Sequence, residues 1–377
     1  MAGTLTRRQV LAGIAGLAGT AGIAGATGVV LAGRGKDGTP PMVSPTAGVV
    51  AEVETARRRA GTGTVTASLN PRPVTLDLGG PTVTTWGYAD SVPGPLIRAR
   101  AGDLLRVEVT NGLPTPTSVH WHGIALRNDM DGVPGLTQRP IVAGDRFTYE
   151  FTAPDPGTYF YHPHSGVQID RGLYGVLIVD DPAEAGRYDQ EWIVVVDDWV
   201  DGTGRTPDQI LQSLTSMGGL HGDMGGMMHG SGGMGGMEMN TSPLLGGAGD
   251  VTYPHYLING RIPSAPVTLA GKPGQRVRIR IVNAAADTAF RIAAAGHRLT
   301  VTHTDGFPVI PTGCDALLVG LGERVDVEIT LGDGVFPLVA SAEGKTGQAM
   351  ALIRTATGTP PAATVRPSEL DRAVLLC

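Results

Sequence analysis

Residues 102–111 read GDLLRVEVTN, and residues 274–283 read GQRVRIRIVN. Each opens on a glycine, alternates polar and apolar residues with period two, and closes on an asparagine. Such alternation marks a half-buried β-strand. A second pair repeats the match: GDRFTYEFT at 144–152 and GERVDVEIT at 322–330. The spacings, 172 and 178 residues, describe two copies of one unit. The copies are predicted at 64–182 and 186–356, with Gly, Pro, Asn and Asp punctuating the gaps between strands. The fold class is therefore all-β: two tandem domains, each a Greek-key sandwich or barrel. One helix is expected from Thr206, where Pro207 takes the first helical position and Gln209 closes a T-x-x-Q capping box. Ile210, Leu211 and Leu214 would share its apolar face.

Composition agrees with this. Charged residues make up 17% of the 377 and hydrophobic ones 41%, while 56 Gly and 28 Pro favour a turn-rich β protein over a helical one. A net charge of −6 without a basic run gives no electrostatic footprint for nucleic acid. Two cysteines, Cys314 and Cys377, make no disulfide framework. At the amino terminus, Arg7 and Arg8 precede an uncharged Gly/Ala-rich stretch from Val10 to Gly33. That reads as a Tat-type export signal over 1–33, with Ala24-Gly25-Ala26 as a cleavage site and a linker at 34–63. The low hydrophobicity argues against a retained membrane span. Arg34 stands where a lipidated cysteine would be needed.

Four of the nine histidines fall in two H-x-H pairs, His120 and His122 in SVHWHGIAL and His162 and His164 in TYFYHPHSG. On a strand, residues i and i+2 share a face, so each pair presents two imidazoles about 6–7 Å apart at the backbone. Overlaying the copies sets His162 and His164 on Ala340 and Ala342, and His120 and His122 on Ile292 and Ala294. The fold does not require histidine there, which points to a metal held by the first copy. Imidazole suits Zn, Cu, Fe or Ni. A cupin would place a glutamate about four residues after its first pair, where Arg127 and Asn128 stand instead. The pattern alone still admits one zinc ion on four histidines.

HWHG, then DMDGVPGLTQRPI at 129–141 and PGTYFYHPHSGVQIDRGLYGVLIV at 156–179, resembles the first cupredoxin domain of the multicopper oxidases. YLINGRIPSAPVTLAGKPGQRVRIRIVNA with GERVDVEI resembles that family's middle domain, which binds no copper. The resemblance implies two cupredoxin-like domains and copper as cofactor. His120 would be a type 2 copper ligand, and His122, His162 and His164 type 3 ligands. Dioxygen would be reduced to water at the expense of a one-electron donor such as Cu(I) or a phenol. Asp131, in MDG, matches the acid that supplies protons near the cluster, though Asp131-Gly132 also reads as a turn.

The family cluster takes eight histidines, and this chain offers four. The H-x-x-H-x-H and H-C-H motifs of a third domain, and the Cys/His/Met site that accepts electrons, are absent from residues 1–377. Cys314 and His303 do not make a blue-copper site, because Cys314 lacks a flanking histidine. Residues 357–377 read as a linker ending in a strand-like AVLLC without a partner. The expectation is an incomplete copy of a three-domain oxidase, inactive alone. The competing expectation is a non-catalytic periplasmic copper-binding or scaffold protein; either way the export signal implies the periplasm, cell envelope or extracellular space.

One segment serves either expectation. Residues 217–239 hold seven Met, two His and ten Gly. So many glycines argue against a helix, at about 1 kcal/mol each relative to Ala. A mobile tether is expected, with Met217, His221, Met224, Met227, Met228, His229, Met234, Met237 and Met239 offering soft ligands to Cu(I). The segment resembles the methionine-rich insert of periplasmic cuprous oxidases.

Overall fold

The computed structural model describes residues 43–59, 62–184, 187–222, 242, 244–245 and 247–375. The chain divides into two units, Met1–Thr55 and Ala56–Cys377. The helix Gly48–Arg57, which buries none of its side chains, occupies part of the expected linker. Propensity does not announce it, because Val49, Val50, Val53 and Thr55 are β-branched and poor helix formers.

All the described strands belong to the second unit. Its first sandwich sets Thr64–Leu69, Leu104–Thr110 and Arg146–Thr152 against a four-stranded sheet ordered Ile97–Arg100, Gly175–Asp180, Gly157–His162, His120–His122. The second faces two six-stranded sheets, one centred on Arg276–Asn283 and Arg324–Thr330, the other on Val335–Ala342 and Phe290–Ala294. The chain changes sheet at each step from Leu104–Thr110 to His120–His122, to Arg146–Thr152 and to Gly157–His162. That is the Greek-key pattern.

The repeat survives at the level of register. Leu104 pairs with Thr152 in the first copy and Arg276 with Thr330 in the second, the positions that the two sequence matches equate. The closing asparagines explain why. Asn111 donates through Nδ2 to the carbonyls of Thr115 and Ile141, and its Oδ1 accepts from the Leu113 amide. Asn283 does the same with Thr288, Val319 and Ala285. Both are fully buried, so each satisfies backbone groups that water cannot reach.

Each sandwich has its own apolar core, one around Trp121, Tyr149, Phe151 and Tyr161, the other around Ile279, Ile281, Phe290 and Val327. A third cluster joins the two, with Phe160, Tyr174 and Ile178 packing on Val195, Trp199 and Leu257. Beside it, Thr158 donates to Asp326 Oδ1 at 2.7 Å and accepts from Arg280 Nη1 at 2.9 Å. Arg278 completes this polar seam, holding Asp326 at 2.5 Å and pairing with Glu184.

The capping box forms as expected: the Gln209 amide donates to Thr206 Oγ1 at 3.2 Å, and the Thr206 amide to Gln209 Oε1 at 2.9 Å. Ile210 and Leu214 pack on the second core, whereas Leu211 is 43% exposed. The helix runs from Pro207 to Gly222 and so enters the methionine-rich segment, against expectation. A capped, packed helix has already met its nucleation cost, and each further turn is cheap to add. The carboxy-terminal residues also differ from the expected linker. Leu370 is fully buried, and Ala373–Leu375 pairs in parallel with Ala316–Val319, so the strand-like end has its partner in the second sandwich.

Candidate metal centre

The strand His120–His122 pairs antiparallel with Gly157–His162, setting His120 opposite His162 and His122 opposite Phe160. Trp121 points the other way, into the core, with ring centroids 5.1 Å from Phe151 and 5.6 Å from Tyr149. Tyr161 is likewise buried in that core. Strand alternation then forces His120, His122, Phe160 and His162 onto the opposite face. Pro163 ends the strand, and the His164 amide donates to Ser118 Oγ at 3.1 Å, anchoring the turn that carries the fourth histidine.

Ligand nitrogens of His120, His122 and His162 lie within 4.8 Å of one another. The His164 ring sits beside this group, 5.6 Å from that of His120. Among the described residues no other cluster of three or more such side chains converges in this way. At the sister positions Ile292 pairs with Ala340, in the register that unites His120 and His162.

Hydrogen bonds fix which nitrogen each ring offers. His120 Nδ1 lies 2.7 Å from the Asp131 carbonyl, which can only accept, so Nδ1 carries the proton and Nε2 is free. His162 Nδ1 is held likewise by the Pro163 carbonyl at 2.8 Å. His122 Nδ1 faces His162 Nε2 at 3.2 Å, and an ion bound by both would replace the proton between them. Burial, helped by Arg324 and the other histidines, pushes His122 down to about 3. Burial also brings His162 down to about 4, against the Pro163 carbonyl, which favours the charged form. Both rings are therefore neutral at physiological pH, the form that ligates metals.

The second sandwich roofs the site. Gly322 has φ +74°, and a Cβ there would stand 2.8 Å from His122 Cε1. Phe160 stacks on the same imidazole, with centroids 4.4 Å apart. Buried Arg324 donates to the carbonyls of Gly322 at 2.8 Å and Thr158 at 3.3 Å, tying the roof loop to the histidine-bearing strand. The four histidines, Phe160, Asp170, Asn283, Leu321 and Gly322 help to enclose a cavity of about 460 Å³. Sequence reasoning missed Asp170, Gly322 and Arg324. Asp170 was visible, six residues after His164 in the motif, but the roof residues lie in the copy without histidines.

Asp131 holds His120 through its carbonyl, and its carboxylate Oδ1 lies 3.4 Å from the same Nδ1, with the side chain 30% exposed. Gly132, at φ +79°, presses so close to the strand that a Cβ would come 1.8 Å from the Val119 carbonyl oxygen. Turn and carboxylate thus coincide at one place. Two further histidines are engaged elsewhere: His297 with the Ala295 carbonyl and Gly332 amide, His303 with Glu184. Cys314 is a free thiol in the second core, pushed up to about 11 by burial. Met217 and His221 fall on the helix Pro207–Gly222. Met224, Met227, Met228, His229, Met234, Met237 and Met239 lie outside the described residues.

The donor chemistry fits copper: neutral imidazoles on one face, with no carboxylate among the converging ligands. Multicopper oxidase family models match residues 72–184 and 237–359. The chain is 56% identical over 335 residues to multicopper oxidase MmcO of Mycobacterium tuberculosis, covering 88% of this chain and 65% of that protein. It is 34% identical to a copper resistance protein A homolog of Pseudomonas syringae pv. tomato, covering 71% and 47%. Among solved structures, the laccase from Botrytis aclada superposes with a TM-score of 0.65 at 27% identity, covering 82% of this chain and 56% of that one. The chain thus spans about half to two thirds of the relatives it matches. With the histidine pairs standing in the copy where the first family model lies, and the second model lying on the copy without them, the chain belongs to the multicopper oxidase family.

Proposed function

We propose that this chain is part of an exported copper oxidase that couples one-electron oxidation of a donor, such as Cu(I) or a phenol, to reduction of dioxygen to water. The observation that carries this reading is the trio of imidazoles, His120, His122 and His162, set within ligand reach of one another inside a roofed cavity. With His164 they would supply half the ligands of a trinuclear copper cluster, the other half coming from protein outside these 377 residues. Copper, when bound, supplies the one-electron redox steps. The protein's own residues fix which nitrogens face the metal, stack Phe160 on the His122 imidazole, and place the Asp131 carboxylate beside His120 as a proton source.

In this reading the chain comprises an export signal at 1–33 carrying Arg7 and Arg8, a linker, a copper-ligand domain at 64–182, and a domain without copper at 186–356. A third domain would be reached past Ala373–Leu375, which itself pairs within the second sandwich. Among the described residues, no helix is long and apolar enough to cross a membrane. Taken alone, the chain is expected to bind copper and to lack turnover, because nothing among the described residues resembles an electron-accepting copper site. The test compares copper content and dioxygen consumption of this chain with those of a longer form. Substantial turnover by 1–377 overturns the incomplete-site reading. Unchanged copper content after joint replacement of His162 and His164 by Ala overturns the metal centre itself.

A second reading, copper sequestration without catalysis, draws on the seven methionines of 217–239. Loss of all Cu(I) on deleting that segment, with no dioxygen consumption by any form, would favour it.

A further inference from the structure

Two hollows share a wall beside the histidines. The cavity of about 460 Å³ is neighboured by a smaller one of about 150 Å³, bounded by Ile210 and Leu214 of the helix and by Val251 and Tyr253. The smaller space has room for several waters, at roughly 30 Å³ each. Val167, Asp170 and Ala286 line both. Of these three, Asp170 alone carries a titratable group.

Asp170 lies in the short 3-10 turn Ile169–Arg171. Its Oδ1 accepts from the Tyr253 hydroxyl of the second sandwich at 3.2 Å. The other charged groups around it are mostly acids: Asp197, Asp198 and Asp287 from the second sandwich and Asp201 after the strand Gln190–Trp199. Lys345 is committed to Asp287 at 2.7 Å, and Arg171 to Asp201 and Asp208. No cation is therefore assigned to Asp170, and the histidines across the cavity include His122 and His162, which are neutral. Burial first, then Asp198 and the more distant acids, push Asp170 up to about 7, with the Tyr253 bond opposing. A carboxyl poised near the working pH both gives and regains a proton readily.

We propose that Asp170 is a proton-loading carboxyl for the histidine cavity, discharging into it during dioxygen reduction and recharging from water in the cavity under the helix. This rests on the oxidase reading above. Reduction of one dioxygen to two waters consumes four electrons, from the one-electron donor, and four protons. In each delivery the carboxyl O–H of Asp170 breaks and an O–H forms on the oxygen being reduced. The carboxylate left behind takes a proton from hydrated protons in the smaller cavity, so the residue is restored.

The test is an infrared titration of the protonated-carboxyl band, in the metal-free chain and with Cu(II) added as the probe. The wild type should show a band with its midpoint near 7, and Cu(II) should lower that midpoint by about one unit or more. Asp170→Asn, isosteric and still able to accept from Tyr253, should remove the component with that midpoint, leaving any from Asp197 and Asp198, which burial also pushes up, and Asp170→Glu should restore one. In copper-loaded protein that turns over, Asp170→Asn should slow dioxygen consumption at least tenfold and change its pH profile, with Asp170→Glu recovering part of the rate. A component with its midpoint near 7 that survives in Asp170→Asn, a midpoint indifferent to bound Cu(II), or an unchanged pH profile overturns the proposal. Failure of the wild type to take up copper sinks the metal-centre reading instead, and is scored separately by copper analysis.

Discussion

Gly132 shows how much of the centre depends on a residue without a side chain. The φ of +79° and the 1.8 Å approach to the Val119 oxygen both forbid a Cβ there. Gly132→Ala should cost about 1–2 kcal/mol from the left-handed backbone alone, plus displacement of the Asp131 carbonyl from His120. A lower melting temperature and weaker copper binding, measured together by calorimetry and metal titration, are the expected outcome. His122 makes the complementary case. Its partner Phe160 lies in the quoted motif, but Gly322 and Arg324 sit about two hundred residues away, in the copy without histidines. The four histidines were legible because H-x-H on a strand has one geometric meaning. The tautomers were not, since they depend on carbonyls brought in by a loop at Asp131 and a chain bend at Pro163.

For the strand His120–His122, the middle residue decides the outcome. Trp121, 1% exposed, orients both histidines by packing among Tyr149, Phe151 and Tyr161. Trp121→Ala should cost roughly 3–5 kcal/mol and release copper, whereas Trp121→Phe should retain the metal with a smaller loss; denaturant melts and copper analysis distinguish them. The asparagine that closes each repeat strand bears a similar load. Asn283→Ala strands the Thr288 and Val319 carbonyls and the Ala285 amide, at about 1–3 kcal/mol per unsatisfied group. Stability should fall by several times the effect of an exposed substitution, as read in a urea midpoint. These elements were readable from alternation and spacing. The edge strand Phe307–Cys314 was not, because Pro308 and Pro311 disguise it. Those prolines also guard an edge on which Phe307 and Ile310 are exposed, 51% and 87%.

Across the whole molecule, the two sandwiches are held by an apolar cluster and by the polar seam of Glu184, Arg278, Asp326 and Thr158. Its acid limit follows from Glu184. The hydrogen bond with His303, then Arg278, brings this carboxylate down from 4.5 to about 2, against a desolvation that favours the neutral acid. Because the folded value is the lower one, the unfolded chain binds more protons in this range. The stabilisation is fully present above about 4.5 and is lost as pH falls toward 2. Glu184→Gln should flatten the acid limb of a stability–pH curve between those values, a result that chemical melts at stepped pH would show. Neither partner was legible in the sequence: Glu184 sits in a junction and His303 in a strand without any motif. What sequence conveyed was two copies and one furnished with ligands; how the bare copy contributes depended on packing. Since the furnished copy supplies every candidate ligand and the bare one only lies over His122, a copper ion seated there acts as a clasp within the first sandwich. Added metal should therefore raise the resistance of that sandwich to unfolding, by binding its folded form, and do less for the joint between the halves.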